Sequence, residues 1–147
     1  MQAYKSTEKN KSVLSLESHY FTHLVYNYIS DIKGIGQDLS ISEDKLDIKV
    51  LLEKSASRII ADISFTATAK EGDDKIFNLS AGYKGIFSYS SDAPPKNVIS
   101  FTKINAPAII FPFLRSAIAS LTLTVGVPPL ILPIINFTNF PVKVEEK

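Results

Sequence analysis

Few residues in this sequence have the type and spacing for chemistry. His19 and His23 fall on one parity of an alternating run, with Glu17 just ahead of them. Two imidazoles and a carboxylate on one strand face could in principle hold a metal. The plainer reading of the same three is solvated side chains on an exposed face, so no metal is assigned. Gly34-Ile35-Gly36 is half of a dinucleotide fingerprint, but no parallel-sheet pattern surrounds it, and it predicts a flexible loop. There are no cysteines, which excludes disulfides, thiolate ligands and cysteine nucleophiles together. Arg115 is the single charge between Ile104 and Phe137. A thioesterase built on a sheet around one long helix needs a helix-borne Asp, Glu or Asn at the thioester carbonyl. The apolar stretch here offers Arg115 and hydroxyls, so no catalytic residue and no cofactor is assigned, and an enzyme is disfavoured.

Bulk properties agree with a binding or structural role. At 147 residues the chain is one domain with room for a core. Lysine and arginine total 16 against 15 acidic residues, and no basic cluster interleaves with aromatics, so nucleic acid is not an expected partner. The opening MQAYKSTEKNKS carries charge without an apolar run behind it. It reads as a flexible arm over 1–12, not a signal peptide, and a cytoplasmic protein is expected.

From Val13 the pattern alternates. Leu14, Leu16, Tyr20, Leu24, Tyr26 and Tyr28 share one parity, while Ser15, Glu17, His19 and His23 share the other. That predicts one long strand with room for a bulge. The connection 31–44 is too long for a tight hairpin, so the first two strands need not be neighbours. Leu46, Ile48, Val50 and Leu52 alternate with charges in strand two, and Lys54 to Ser57 is a polar break. Ile59 to Ala69 alternates again, and Glu71-Gly72-Asp73-Asp74 is a hairpin turn. The return strand places Phe77, Leu79, Ala81, Tyr83, Phe87 and Tyr89 together, with Gly82 and Gly85 interrupting the other parity, where a bulge or close approach is expected. Residues 90–96 read as a loop.

Four long antiparallel strands with one apolar face need a cover. Asn105 can cap a helix with Pro107 in its first turn, and Ile110, Leu114, Ala117, Ile118, Leu121 and Val125 follow helical spacing to Gly126. Pro112 would delay or kink it. The helix is apolar nearly all round, so one sheet cannot hide it, and a second subunit is the simplest cover for the rest. The predicted contact residues are Leu114, Arg115, Ile118, Leu121, Thr122 and Val125, with Arg115 meeting a carboxylate or carbonyl across the contact. A bilayer span is a weaker reading. Only about half the roughly 20 residues a span requires lie between Arg115 and Pro128, and Pro128, Pro129 and Pro133 follow. The end, KVEEK, reads as a solvated tail.

The order of short motifs is more specific than any single one. Gly85-Ile86-Phe87 closes a strand, and Asn105-Ala106-Pro107 leads into Ile110-Phe111-Pro112-Phe113-Leu114-Arg115. Gly126-Val127-Pro128-Pro129-Leu130 and then Pro133-Ile134-Ile135-Asn136-Phe137 follow. Over roughly 13–140 the chain resembles the SecB family of export chaperones. The resemblance implies an α+β fold: a four-stranded antiparallel sheet with a crossover after strand one and the long helix on one face. It implies one domain over 13–140 with a tail at 141–147, and a homo-oligomer built as a dimer of dimers. In function it implies an ATP-independent holdase for unfolded polypeptides or preproteins.

Such a binder needs extended apolar surface, because a non-native client exposes apolar side chains at irregular spacing. The expected groove lining is Leu46, Ile48 and Val50 with Leu130, Leu132, Phe137 and Phe140. Where family members carry sheet carboxylates that contact the SecA motor, this chain has Leu24, Tyr28 and Ser80, so engagement of SecA is not implied. A SecB-like chaperone dedicated to one partner, such as an antitoxin, is one alternative. A membrane-associated protein anchored by 104–137 is another.

Overall fold

The computed structural model describes residues 13–34 and 39–147. The N-terminal arm and the Ile35-Gly36 half of the glycine motif lie outside the described residues. Four long strands, β1 (Ser15–Tyr28), β2 (Ser40–Glu53), β3 (Arg58–Glu71) and β4 (Asp74–Ser88), pair antiparallel. A fifth, β5 (Lys143–Glu146), runs parallel to β2, and the sheet order is β1-β4-β3-β2-β5. The crossover after β1 is present, so the first strand ends at the far edge from the second. The strand count is a correction. The expected free tail is an edge strand, because Val144 is half-buried opposite Val50 while Lys143, Glu145 and Glu146 face water.

Each long strand follows from its alternation. Ile59, Ala61, Ile63 and Phe65 of β3 lie in register with Leu52, Val50, Ile48 and Leu46 of β2, and with Phe87, Gly85, Tyr83 and Ala81 of β4. These residues make one apolar face. Gly85 therefore shares the parity of Tyr83 and Phe87, not the opposite one. The β3–β4 turn puts Gly72 at φ +62°, and the β2–β3 corner closes with Arg58 donating twice to Glu53 Oε2, at 2.9 and 2.6 Å.

β1 departs from simple alternation. Its register with β4 shifts between Leu16 and Ser18 and again between Phe21 and His23. Each bulge flips the parity. Leu16, then His19 and Phe21, then Leu24, Tyr26 and Tyr28 oppose the apolar positions of β4, while Tyr20 and His23 oppose Lys84 and Gly82.

The helical cover is longer than expected. α1 (Pro95–Ser100), a π turn (Phe101–Asn105) and α2 (Ala106–Thr124) follow one another without a break. Asn105 is thus an interior residue with helical dihedrals and no capping bond, and the helix starts at Pro95, a first-turn position proline tolerates. The wide π turn sits directly before Pro107, whose ring has no amide to return. Pro112 stands on the exposed side, where the carbonyl it leaves unbonded can meet water. At the other end Gly126 adopts φ +91°, Val127 N–H bonds Thr122 O at 3.1 Å, and Gly126 N–H bonds Leu123 O at 3.2 Å. This is a Schellman close.

Ala106, Pro107, Ile110, Phe111, Leu114, Ile118 and Thr122 are buried. They form the stripe that lies on β3 and β4. By length and composition the run Pro95–Thr124 is also long and apolar enough to cross a membrane; here one side of it is the cover of the sheet.

Candidate functional site

The chain leaves α2 at Gly126 and returns along the helix toward the β2 edge. Two side chains fix that return. Thr122 is fully buried; its Oγ1 donates to Ile118 O at 2.9 Å and accepts from Leu130 N–H at 2.8 Å. Arg115 Nε donates to Leu132 O at 2.6 Å. Arg115 does meet a carbonyl, but one of its own chain. Further on, Asn136 Oδ1 accepts from both Thr138 N–H, at 3.1 Å, and Thr138 Oγ1, at 2.6 Å. That turn directs Phe137 inward, edge-on to Phe111 with centroids 5.6 Å apart, and places Phe140 beside it at 6.1 Å.

Between this strap and β2 lies a recess of about 220 Å³, lined chiefly by Ile41, Leu46, Phe65, Phe111, Leu130 and Leu132. Ile131 belongs to the lining and is 62% exposed, and Ile134, between the lining residues Pro133 and Ile135, is 87% exposed. The lining is apolar apart from the exposed Asp44, and a hollow of this kind suits apolar side chains of varied shape. Arg115→Met should release the strap. A loss of about 1.5 kcal/mol is expected for a charge-assisted bond to a carbonyl, with faster proteolysis at 130–136. An unchanged denaturation midpoint and cleavage pattern would show that the strap is held by packing alone.

The expected groove residues divide. Leu46, Leu130 and Leu132 come together in the recess, while Phe137 and Phe140 are outside its lining, Phe137 packing on the lining residue Phe111 and Phe140 on Phe137. Ile48 and Val50 do not reach it: both are buried in the core of the subunit, 3% and 0% exposed. Prolines at 128, 129 and 133 obscure any period around Ile131 and Ile134, and Ile41 falls in the stretch 31–44 that reads as a connection, so the sequence does not mark these three as lining.

The expected contact residues also divide by where the single chain places them. Leu114, Ile118 and Thr122 are wholly buried against their own sheet or strap, and Leu121 is half-buried. Val125 remains outward. The helix face left uncovered is instead Ile109, Phe113, Ser116, Ser120 and Leu123, at i, i+4, i+7, i+11 and i+14. Phe113 also stacks on His19, with centroids 4.4 Å apart.

The histidines part company. His23 Nε2 lies 3.0 Å from Ser80 Oγ on the outer face, and Glu17 accepts from Ser88 Oγ. His19 faces the helix, where the Tyr83 hydroxyl bonds its Nδ1. Burial raises the Tyr83 pKa. Among the described residues no three His, Asp or Glu side chains converge as metal ligands. Of the three positions set against the family's SecA-contacting carboxylates, Leu24 and Tyr28 are exposed on β1 and Ser80 is half-buried on β4.

Comparison with known proteins gives one consistent result. Residues 8–144 match the SecB family, described as preprotein translocase subunit SecB. The chain is 29% identical over 127 residues to the protein-export protein SecB of Dinoroseobacter shibae, covering 84% of this chain and 73% of that one. With the same protein of Roseobacter denitrificans it shares 33% identity over 106 residues, 67% and 63% of the two chains. With that of Sinorhizobium medicae it shares 35% over 77 residues, 52% and 45% of the two. The matches thus span from under half to about three quarters of these relatives' length. In structure it is similar to a SecB-like chaperone of Mycobacterium tuberculosis in complex with an antitoxin peptide. The TM-score is 0.68 at 15% identity, covering 84% of this chain and 91% of that one.

Proposed function

The chain belongs to the SecB family, and from that premise we propose that it is an ATP-independent holdase of the cytoplasm. It keeps extended apolar segments of non-native polypeptides from folding or aggregating. The observation that carries this reading is the recess between β2 and the 130–135 strap, whose lining includes the exposed Ile131, with the exposed Ile134 on the same strap. A hollow of this kind rewards apolar content and ignores sequence, which is what a client of no fixed structure requires. Assembly belongs to the proposal: the Ile109–Phe113–Leu123 stripe is the surface through which copies pair, as a dimer or a dimer of dimers.

A second reading, service to one dedicated partner, is favoured by Leu24, Tyr28 and Ser80 standing where family members carry carboxylates for SecA. The M. tuberculosis relative with its antitoxin peptide is a precedent for such a partner. A pull-down distinguishes the two, with one stoichiometric partner supporting dedication and many denatured ones supporting general holding.

The test is refolding of an unrelated, slowly folding protein diluted from denaturant without ATP. The wild-type protein should delay it at stoichiometric amounts. Leu46→Ser combined with Leu130→Ser removes two half-buried leucines from the lining. The pair should weaken holding about tenfold or more, given roughly 1.5–3 kcal/mol for each leucine fully covered by a client. No delay by the wild-type protein would refute the holdase reading, and equal delay by the double variant would refute this recess as the place of binding.

A further inference from the structure

We infer that β5 is an internal occupant of a strand-accepting edge, and that an extended client segment takes its place. The inference rests on the holding function proposed above and supplies its regulation. β2 runs from Ser40 to Glu53, yet β5 pairs with it only from Lys49 to Leu52. Among the described residues no strand lies outside positions 40–48. That open stretch carries Ile41 and Leu46, which line the recess. A peptide laid along it would bond the backbone of the edge and drop alternate side chains into the hollow.

β5 shows what the edge accepts. Phe140, Val142 and Val144, two residues apart, are all half-buried, while Lys143 and Glu145 between and beyond them are exposed. Glu145 pairs with Lys49 Nζ at 3.1 Å and Glu146 with Lys54 Nζ at 3.4 Å. The matching client segment has apolar side chains at every second residue and acidic groups opposite Lys49 and Lys54. β5 itself is easily exchanged. It is four residues long, parallel and bonded on one side only, and both ion pairs are solvent-exposed and contribute little. Besides its ladder, Lys147 N–H reaches Leu52 O at 2.9 Å. A client segment that spans from the recess to Leu52 bonds more of the edge and fills the hollow as well, so it wins the competition.

The chain has no cysteine, so one engineered pair can lock β5 selectively. Lys49→Cys with Lys143→Cys joins two exposed positions that face each other across the β2–β5 ladder. Binding of a fluorescent, permanently unfolded polypeptide is measured by anisotropy, oxidised and then reduced. The oxidised form should bind about tenfold or more weakly, with recovery on reduction, because the competent state is withdrawn. Equal affinity in the two redox states overturns the inference. The charge variant Glu145→Lys with Glu146→Lys sets like charges against Lys49 and Lys54 without altering the edge. It should bind about threefold tighter, and unchanged or weaker binding counts against displacement. If the wild-type protein binds no client, the holding function fails first. Hydrogen exchange then decides this inference alone: β5 amides should exchange about 100-fold faster than those of β3, and protection equal to β3 would sink it.

Discussion

Ile109→Lys combined with Leu123→Lys should split the assembly while leaving each subunit folded. Both residues lie on the uncovered stripe of α2, at 38% and 65% exposure. In a lone subunit the substitutions therefore put lysines where water already reaches, and surface changes of that kind fall within about ±0.5 kcal/mol. In a helix-to-helix contact the same lysines would be buried without partners, at about 2–5 kcal/mol for each desolvated, unpaired charge. The stripe suits such a contact: Ser116 and Ser120 are small enough for close approach, and Ile109, Phe113 and Leu123 supply the apolar area. Light scattering should report a lower mass for the variant. Its melting temperature should also become independent of protein concentration, whereas that of the wild-type protein should rise with it. A full-size particle carrying both lysines would move the subunit contact elsewhere. Phe113 is the poorer probe despite its exposure, because it stacks on His19 and changing it disturbs the subunit as well.

How much of this was readable in advance depended on whether one local pattern determined the answer. The β3 run from Ile59 to Ala69 alternates without interruption, and its register with both neighbours follows that alternation. β1 has equally clear alternation that misleads. Two bulges exchange its faces, so His19, polar by type, stands on the helix side beside Tyr83 and Phe113, while Tyr20 stands on the other side. No single-strand pattern can reveal a bulge, because it exists only relative to a partner. The start of the helix was hidden differently. Val98, Ile99, Phe101, Thr102 and Ile104 are β-branched or aromatic, which argues for a strand, and packing against the sheet overrides that preference. In β5 a single apolar side chain, Val144, decides between strand and free tail, too little for periodicity to register.

The site divides along the same line. Leu46, Leu130 and Leu132 could be named because alternation and motif order place them near the β2 edge. Ile48 and Val50 have the same parity as Leu46, yet sit where the helical cover already closes over the sheet. Parity identifies a face; it does not say where on that face the cover ends. The helix carried the same ambiguity: with apolar residues almost all round, its spacing could not tell the stripe that meets its own sheet from the one that meets another copy.

Gly85→Val is the sharpest test of how the helix is seated, because local preference and packing predict opposite signs. Valine is favoured in strands and glycine is not, so on propensity alone the change should stabilise β4. A side chain at Gly85, however, would meet Ile110 Cγ2 at 2.6 Å and Phe87 Cε2 at 2.9 Å. Both neighbours are fully buried and have nowhere to move. Overpacking of this kind costs about 1–3 kcal/mol, which for a chain of this size lowers the melting temperature by roughly 3–10 °C. Ile110→Ala alone should cost about 2–5 kcal/mol through the cavity it leaves. Placed together, the valine fills part of that cavity, so the double variant should be less destabilised than the two single losses combined. Strict additivity would mean that Gly85 is not what lets α2 approach the sheet. Relief in the double variant would establish that contact as the support of the whole site, since Phe111 and Arg115, on the turns that follow Ile110, respectively floor the recess and tether its strap.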